Sequence, residues 1–320
     1  MQIVDYQNVH QMLKKTVDDN ADRVAYRWFY DDESSESVTW KEFYDQLKQV
    51  ARGLMALDVQ KGDKVIILSY TCYRWVLSDF AINTAGAATV GIYQSNLASD
   101  CEYIINHSDA VVVFAENETQ MQKLMSIRDK LSNIRKVILF NGQAPADDDW
   151  VVTFEQFMDF GKDVSEKDLQ KRIQEVTPQD TATIVYTSGT TGVPKGAVLT
   201  HDNMTFTPQS VKGSVEVNEE DETFLFLPLA HVFARTFVYG TVLVGATLNF
   251  ARSMDTIVDD LQLAKPHWFP SVPRIYEKVY SRVVSGAEAK GGVALKIFNW
   301  AREVGDQMAD CILNKEKPSL

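Results

Sequence analysis

The sequence has little cysteine and no long uninterrupted apolar run. Its three cysteines, Cys72, Cys101 and Cys311, lie far apart in a chain of 320 residues and form no CxxC or mixed His/Cys pattern. This spacing argues against a disulfide framework and a structural zinc site, and it suits a reducing, cytoplasmic setting. The longest apolar stretch, 236–250, is broken by glycines, so it reads as protein core rather than as a membrane span.

Positive charge is scarce relative to negative charge. The chain has 32 Lys and Arg against 44 Asp and Glu, which gives a net charge of −12. Binding to nucleic acid needs a basic face, so this balance argues against a nucleic-acid partner. Residues 1–15 contain no basic segment followed by an apolar one, so no signal peptide is predicted there. With 45% hydrophobic and 24% charged residues, the composition is that of a soluble globular protein.

Hydrophobic spacing predicts helices that alternate with strands. One predicted helix has apolar residues at alternating spacings of four and three, at Phe43, Leu47, Val50, Leu54 and Leu57. That spacing places them on one helix face. Apolar runs within 61–70, 110–116 and 135–140 read as buried strands. The alternation favours parallel βαβ units, and therefore an α/β fold with doubly wound, largely parallel sheets and flanking helices.

The main change in composition lies between residues 141 and 180, where a loop rich in Gly, Pro and Asp precedes a charged helix. We therefore predict a first α/β subdomain at 1–180 and a second, incomplete α/β subdomain at 181–320. Strands are predicted in the second at 223–228, 246–250 and 267–271. Helices interrupted by a Gly-Gly pair are predicted after them.

The least ordinary segment is TSGTTGV at 187–193, which is followed by Lys195. Glycines let backbone N–H groups converge on an anion, hydroxyls add donors, and a lysine adds compact positive charge. The spacing is not that of the Walker phosphate loop. A flexible surface loop rich in small polar residues would have the same composition. The buried strands predicted on both sides and the single lysine favour an anion site.

The same segment resembles a family signature. YTSGTTGVPKG, at 186–196, resembles the phosphate loop of the adenylate-forming enzymes, which include acyl-CoA synthetases, luciferases and peptide-synthetase adenylation domains. Every fixed position of TSGTTGxPKG is met. The resemblance implies that the β- and γ-phosphates of ATP are bound by Thr187, Ser188, Gly189, Thr190, Thr191, Gly192 and Lys195. The following segment, LTHDNM at 199–204, reads as a strand end and a helix that Asp202 opens.

Three further segments are similar to the long-chain fatty acyl-CoA synthetases. They are FLPLAHVFARTF at 226–237, PSVPRIYEKVYSRV at 270–283 and KIFNWAREVG at 296–305. The resemblance places His231 beside the reacting carboxylate and nucleotide, where it and Lys195 would serve catalysis. A histidine satisfied at a strand end is the alternative for His231. Phe233 would line the acyl tunnel or belong to ordinary core, and Arg235 reads as a surface cation.

The activity that the resemblance implies has two steps. A fatty acid and ATP give an acyl-adenylate and pyrophosphate, and the thiol of coenzyme A then displaces AMP. Phosphate-loop donors and Mg²⁺ would offset negative charge in the first step. The expected partners are a fatty acid, ATP and coenzyme A. Peripheral association with a membrane and the oligomeric state stay open.

Later elements of the family have no counterpart after Gly305. These are the acidic element for magnesium and adenine, the ribose-binding aspartate, and the C-terminal domain with its lysine. We therefore expect the sequence to be an N-terminal portion of a long-chain fatty acid–CoA ligase that does not form acyl-CoA alone, with its residues for magnesium outside this chain. A ligase for another carboxylic acid and a non-catalytic nucleotide-binding fragment are the alternatives.

Overall fold

Alternating strands and helices build two β-sheets, as the hydrophobic pattern predicts. A computed structural model describes residues 3–187 and 192–315. The strands of these residues are β1 (Val24–Phe29), β2 (Ser35–Thr39), β3 (Lys64–Leu68), β4 (Ala88–Ile92), β5 (Ala110–Ala115), β6 (Lys136–Leu139), β7 (Val151–Thr153), β8 (Thr181–Thr187), β9 (Lys195–Thr200), β10 (Glu222–Leu225) and β11 (Thr247–Phe250).

Helices connect and cover these strands. They are α1 (Val9–Asn20), α2 (Trp40–Ala56), α3 (Tyr73–Thr84), α4 (Ala98–His107), α5 (Glu118–Met125), α6 (Phe154–Phe160), α7 (Glu166–Glu175), α8 (His201–Lys212), α9 (Val232–Val244), α10 (Ile257–Ala264), α11 (Pro273–Lys290) and α12 (Gly292–Asn314). None of the helices in the described ranges is both long and apolar enough to cross a membrane.

The larger sheet has seven strands in the order β7-β6-β5-β3-β4-β8-β9. Every neighbouring pair is parallel except β8 and β9, which form an antiparallel hairpin at one edge. Its central strands are almost wholly buried, as expected for a parallel sheet with helices on both faces. β4 and β8 run side by side in the same direction, so their carboxyl ends meet at one edge.

The smaller sheet has the order β10-β11-β1-β2 and is parallel except for the β1–β2 pair. The predicted strand at 267–271 is wrong, because Trp268 makes only an isolated bridge to Thr223. Pro270 has no N–H to donate to a ladder, which disfavours a longer strand there. The largely parallel α/β fold predicted from the sequence is confirmed.

The chain divides into two compact units, Met1–Pro270 and Ser271–Leu320. Both sheets lie in the first unit, and the second contains α11 and α12. β8 begins after residue 180 and pairs with β4, which lies before residue 180. One sheet therefore contains strands from both sides of that residue. The division between compact units therefore falls elsewhere than residue 180, and subdomains at 1–180 and 181–320 stay a prediction.

Two buried histidines hold the N-terminal helix. His10 on α1 is hydrogen-bonded through Nδ1 to Thr84 Oγ1 (3.0 Å) and through Nε2 to the Tyr44 hydroxyl (3.1 Å). His201 Nδ1 on α8 accepts from the backbone N–H of Val9 (3.3 Å). Burial lowers the pKa of each histidine to about 4. Both rings are therefore neutral in the folded protein at neutral pH.

These two rings predict a loss of stability in mild acid. Their folded pKa lies below the ordinary value, so the unfolded chain takes up protons first as the pH falls below about 6.5. The stabilisation is present above that pH and is lost as the pH falls towards 4. We expect the free energy of unfolding to drop by about 2 kcal/mol per histidine between pH 7 and pH 5, as measured by urea denaturation.

The variant His201→Gln should lose less stability between the two pH values than the unsubstituted protein does. The control is His267→Gln, because His267 is exposed. A pH dependence that is identical in the His201→Gln and His267→Gln variants would contradict the assignment of this loss to His201.

Candidate functional site

The β8–β9 hairpin presents the two ends of the predicted phosphate loop at the edge of the larger sheet. Thr187 and Lys195 are paired across the hairpin, and both are exposed. Directly opposed residues of antiparallel strands have their Cβ atoms about 5 Å apart. Lys195 makes no ion pair with any residue in 3–187 or 192–315. Among these residues its ammonium group is therefore not neutralised by a carboxylate, and it lies across the hairpin from Thr187.

Between these ends, Ser188, Gly189, Thr190 and Thr191 lie outside the described residues, so their predicted role stays a prediction. Gly192 has φ +84°, a left-handed backbone conformation that favours glycine. A Cβ added at Gly192 would meet no atom of the described residues within 4 Å. The backbone conformation, rather than lack of space, is therefore the constraint at this position.

His231 lies at the start of α9, near the same edge of the sheet. It is the N-cap residue of α9, and its Nδ1 accepts from the backbone N–H of Phe233 (3.2 Å). In the neutral ring the proton is then on Nε2, an assignment made from this hydrogen bond. The ring is exposed, so Nε2–H is available as a donor to a ligand.

A glycine on β4 lets the segment before His231 approach the sheet. A Cβ added at Gly91 would lie 2.9 Å from the Cα of Ala230, closer than real Cβ atoms come to other atoms. Thr71 fixes the same segment, since its hydroxyl donates to the Leu227 carbonyl (2.8 Å) and accepts from the Leu229 N–H (3.0 Å). The position of His231 is thus set by backbone packing on β4.

A cavity of about 420 Å³ opens between these elements. It is lined by Gly91, Ile92, Tyr93, Asn96, Asp100, Ile104, Val185, Tyr186, Thr187, Pro194, His231 and Val232. Thr187, Pro194 and His231 therefore border one space at the carboxyl ends of β4 and β8. The structure brings together the phosphate-loop ends and the histidine, which the sequence predicted separately.

Phe233 lies outside this group. Its side chain is 47% exposed in the first turn of α9, and it does not line the cavity with His231. It is therefore not ordinary buried core in the described part of the chain. Its place in an acyl tunnel stays a prediction.

The helix after β9 begins differently from the sequence expectation. Thr200, rather than Asp202, is the N-cap residue of α8, and its hydroxyl accepts from the Asn203 N–H (3.3 Å). Asp202 lies in the first turn, where its negative charge is favourable with the helix dipole. Both residue types suit the N-terminus of a helix, so composition alone did not separate the two positions.

Arg235 is not a surface cation, which corrects the expectation from the sequence. Its side chain and that of Asp79 are each 2% exposed, and their Nη2 and Oδ1 atoms are 2.6 Å apart. The Tyr239 hydroxyl donates to the other oxygen of Asp79 (3.1 Å). Burial lowers the pKa of Arg235, but the attraction of Asp79 and Tyr239 and the hydrogen bonds to them together outweigh it, so the pKa lies above its usual value.

The same guanidinium connects α9 to the hairpin strand. Arg235 Nη1 donates to the Thr183 hydroxyl on β8, and that hydroxyl donates to the Thr89 carbonyl on β4 (2.7 Å). Arg235 also lies over the Trp75 ring, 5.5 Å from its centroid. The sequence held one signal for this cluster: Arg235 and Asp79 each stand within a largely apolar helix.

Residues 13–305 match a family model described as AMP-binding enzyme, and the chain belongs to that family. Among curated relatives, the long-chain-fatty-acid–CoA ligase ACSBG2 of Xenopus laevis is 29% identical over 305 residues, which cover 93% of this chain and 41% of that protein. The long-chain-fatty-acid–CoA ligase FadD15 of Mycobacterium tuberculosis is 32% identical over 292 residues, covering 90% and 47%. The chain thus spans less than half of these relatives' length.

Solved structures show the same fold. The A-PCP didomain of a carboxylic acid reductase from Segniliparus rugosus, in complex with AMP, has a TM-score of 0.75 at 20% identity, covering 89% of this chain and 45% of that chain. The inhibitor-bound N-terminal domain of FACL13 from Mycobacterium tuberculosis has a TM-score of 0.68 at 22% identity, covering 84% and 64%.

The buried ion pair predicts a large asymmetry between two substitutions. Asp79→Ala leaves the Arg235 charge buried and unpaired, so we expect the free energy of unfolding to fall by about 3–5 kcal/mol. Asp45→Ala removes a partner of the exposed Lys41 on α2 and should cost at most about 1 kcal/mol. Chemical denaturation measures both.

The double variant Asp79→Leu/Arg235→Met is the second control, because it removes both charges together. It should be more stable than Asp79→Ala. Equal losses for Asp79→Ala and Asp45→Ala would show that the buried pair does not have the energetic role assigned to it.

Proposed function

We propose that this chain carries the phosphate- and carboxylate-binding part of a long-chain fatty acid–CoA ligase. Such an enzyme activates a fatty acid with ATP as an acyl-adenylate and then transfers the acyl group to coenzyme A. Membership of the AMP-binding enzyme family supports the proposal, as does the similarity to two long-chain-fatty-acid–CoA ligases. The observation that carries it is that Thr187 and His231 border the same cavity, with Lys195 opposite Thr187 on the hairpin.

The hairpin end suits the phosphates of ATP. Thr187 offers a hydroxyl donor, Gly192 adopts a left-handed backbone conformation, and Lys195 adds a positive charge that no described residue neutralises. These groups would reduce the repulsion that a carboxylate meets as it approaches the phosphate chain. Lysine also acts as a compact point charge towards phosphate.

His231 suits the acid. Its Nδ1 is occupied by the backbone of α9, so Nε2–H is the atom that would donate to a carboxylate oxygen. A fixed donor at the cavity rim would orient the attacking oxygen towards the phosphates, and positioning of this kind accounts for much of the rate enhancement in such reactions. The residue would act as an orienting donor rather than as a metal ligand.

Mg²⁺ enters the proposal only through the family. When bound, it would neutralise charge on the phosphates. Within residues 3–187 and 192–315, no three His, Cys, Asp or Glu side chains are grouped to hold a metal ion. No step is therefore assigned to a metal site of these residues.

The proposal is tested by ATP–pyrophosphate exchange on the complete protein with a panel of acids. Palmitate and oleate should support exchange, whereas hexanoate and benzoate should support little. Exchange with benzoate or hexanoate alone would leave the family chemistry intact and overturn the long-chain assignment. ATP binding without exchange for any acid would favour a non-catalytic nucleotide-binding role. We expect the protein to associate peripherally with membranes, where it would meet the fatty acid, and co-sedimentation with lipid vesicles would detect this association.

Lys195→Ala tests the phosphate end. We expect palmitate-dependent exchange to fall roughly 100-fold, the usual scale for loss of one donor that stabilises developing charge. The denaturation midpoint should stay unchanged, because Lys195 is exposed and holds no core. Lys167→Ala, on the exposed surface of α7, is the matched control. Equal exchange rates in the two variants would remove Lys195 from the mechanism.

Phe233→Ala tests the acyl end. If Phe233 lines the acyl path, the variant should shift the preferred chain length while the KM for ATP changes less than about twofold, because ATP phosphates bind at the hairpin instead. Phe206→Ala on α8 is a matched control, since Phe206 is 49% exposed. An unchanged substrate profile for Phe233→Ala would place this residue outside the acyl path.

A further inference from the structure

Helix α4 contacts both ends of the phosphate loop. The Tyr103 hydroxyl donates to the Pro194 carbonyl (3.0 Å), just before β9. His107 Nδ1 is hydrogen-bonded to the Tyr186 hydroxyl (2.7 Å), just before Thr187 on β8. Two side chains of one helix therefore reach the two strands at the points where the loop begins and ends.

The three rings form one cluster. Tyr103 and His107 are one helical turn apart, and their rings stack with centroids 5.2 Å apart and planes at 29°. The His107 ring meets the Tyr186 ring edge-on, at 5.7 Å and 81°. Burial raises the pKa of Tyr186 to about 12, so its hydroxyl keeps its proton at neutral pH. The ring contacts and the hydrogen bond therefore restrict the orientations of the three rings.

The hairpin needs support of this kind because β9 is an edge strand. It pairs only with β8 in the described sheet, and its residues are exposed or half-buried. Gly196 on β9 is paired with Tyr186, and a Cβ there would lie 2.7 Å from Ile184 Cγ2 and 3.3 Å from Tyr186 Cζ. The absence of a side chain at Gly196 lets the Tyr186 ring lie across β9 towards α4.

We propose that Tyr103 and His107 are positioning residues of the phosphate loop: they fix its two ends through Pro194 and Tyr186, and thereby set the affinity for ATP. This proposal rests on the proposed function. Neither side chain needs to touch the nucleotide. Fixing the loop ends before binding reduces the ordering cost that nucleotide binding would otherwise carry.

Hydrogen exchange on the complete protein without ligand tests the positioning itself. Tyr103→Phe removes only the hydroxyl that reaches Pro194, and Tyr186→Phe removes only the hydroxyl that reaches His107. Both variants should exchange amides faster in peptides spanning 181–200, with peptides of β5 and β6 unchanged. Tyr70→Phe is the matched control, because the buried Tyr70 hydroxyl has no hydrogen-bond partner among the described residues. Unchanged exchange at 181–200 would overturn the proposal, whatever the protein does with ATP.

ATP kinetics test the consequence. Each variant should raise the KM for ATP about fivefold, the usual effect of one hydrogen bond, and leave the KM for palmitate unchanged. His107→Ala combined with Tyr186→Phe should be no worse than the worse single variant, because both remove the same hydrogen bond. Faster amide hydrogen exchange at 181–200 with an unchanged KM for ATP would overturn the positioning role. Absence of pyrophosphate exchange in the unsubstituted protein would instead overturn the proposed function.

Discussion

The buried pair of Arg235 and Asp79 is the interaction on which the arrangement of the site depends. Two opposite charges removed from water are tolerated only where they meet each other and further hydrogen-bonding groups. Tyr239 and Thr183 supply such groups, so the side chains of Arg235 and Asp79 are held in one geometry. That geometry joins α9, α3 and β8, and through Thr183 it extends to β4.

This cluster lies close in the chain to each functional element. His231 precedes Arg235 by about one helical turn, or roughly 6 Å along the axis of α9. Thr187 follows Thr183 at the carboxyl end of β8, roughly 13 Å further along the strand. A rigid centre at this distance keeps the histidine and the hairpin in one frame. The outer end of the hairpin is held separately, by the hydrogen bonds of Tyr103 and His107 on α4 to Pro194 and Tyr186.

Local pattern was enough to predict much of the fold. The spacing of Phe43, Leu47 and Val50 predicted α2, because burial of one helix face leaves a periodic pattern, and the central strands were predicted from apolar runs, because burial of a whole strand leaves a continuous one. The phosphate-loop segment was predictable from its composition, since a run of glycines and hydroxyl side chains is unusual. Thr187 and His231, which border one cavity, and Lys195, which is paired with Thr187, were therefore predictable from the sequence.

Interactions between distant segments were not predicted. A charged residue such as Arg235 normally reads as surface, and only the fold brings Asp79 to it from another helix. Tyr103 and His107 likewise carry no local signal, because their hydrogen-bond partners, Pro194 and Tyr186, lie far along the chain at the β8–β9 hairpin. Trp268 looked like part of a strand because aromatic residues favour strands, yet the chain there makes one bridge only.

The most direct test of the account is a crystal structure of the complete protein with ATP and palmitate. We expect the phosphates to lie at the end of the β8–β9 hairpin, within hydrogen-bonding distance of Lys195. We also expect the palmitate carboxylate to lie within hydrogen-bonding distance of His231 Nε2, on the cavity side. Nucleotide bound elsewhere, with the hairpin and His231 free of ligand, would contradict it.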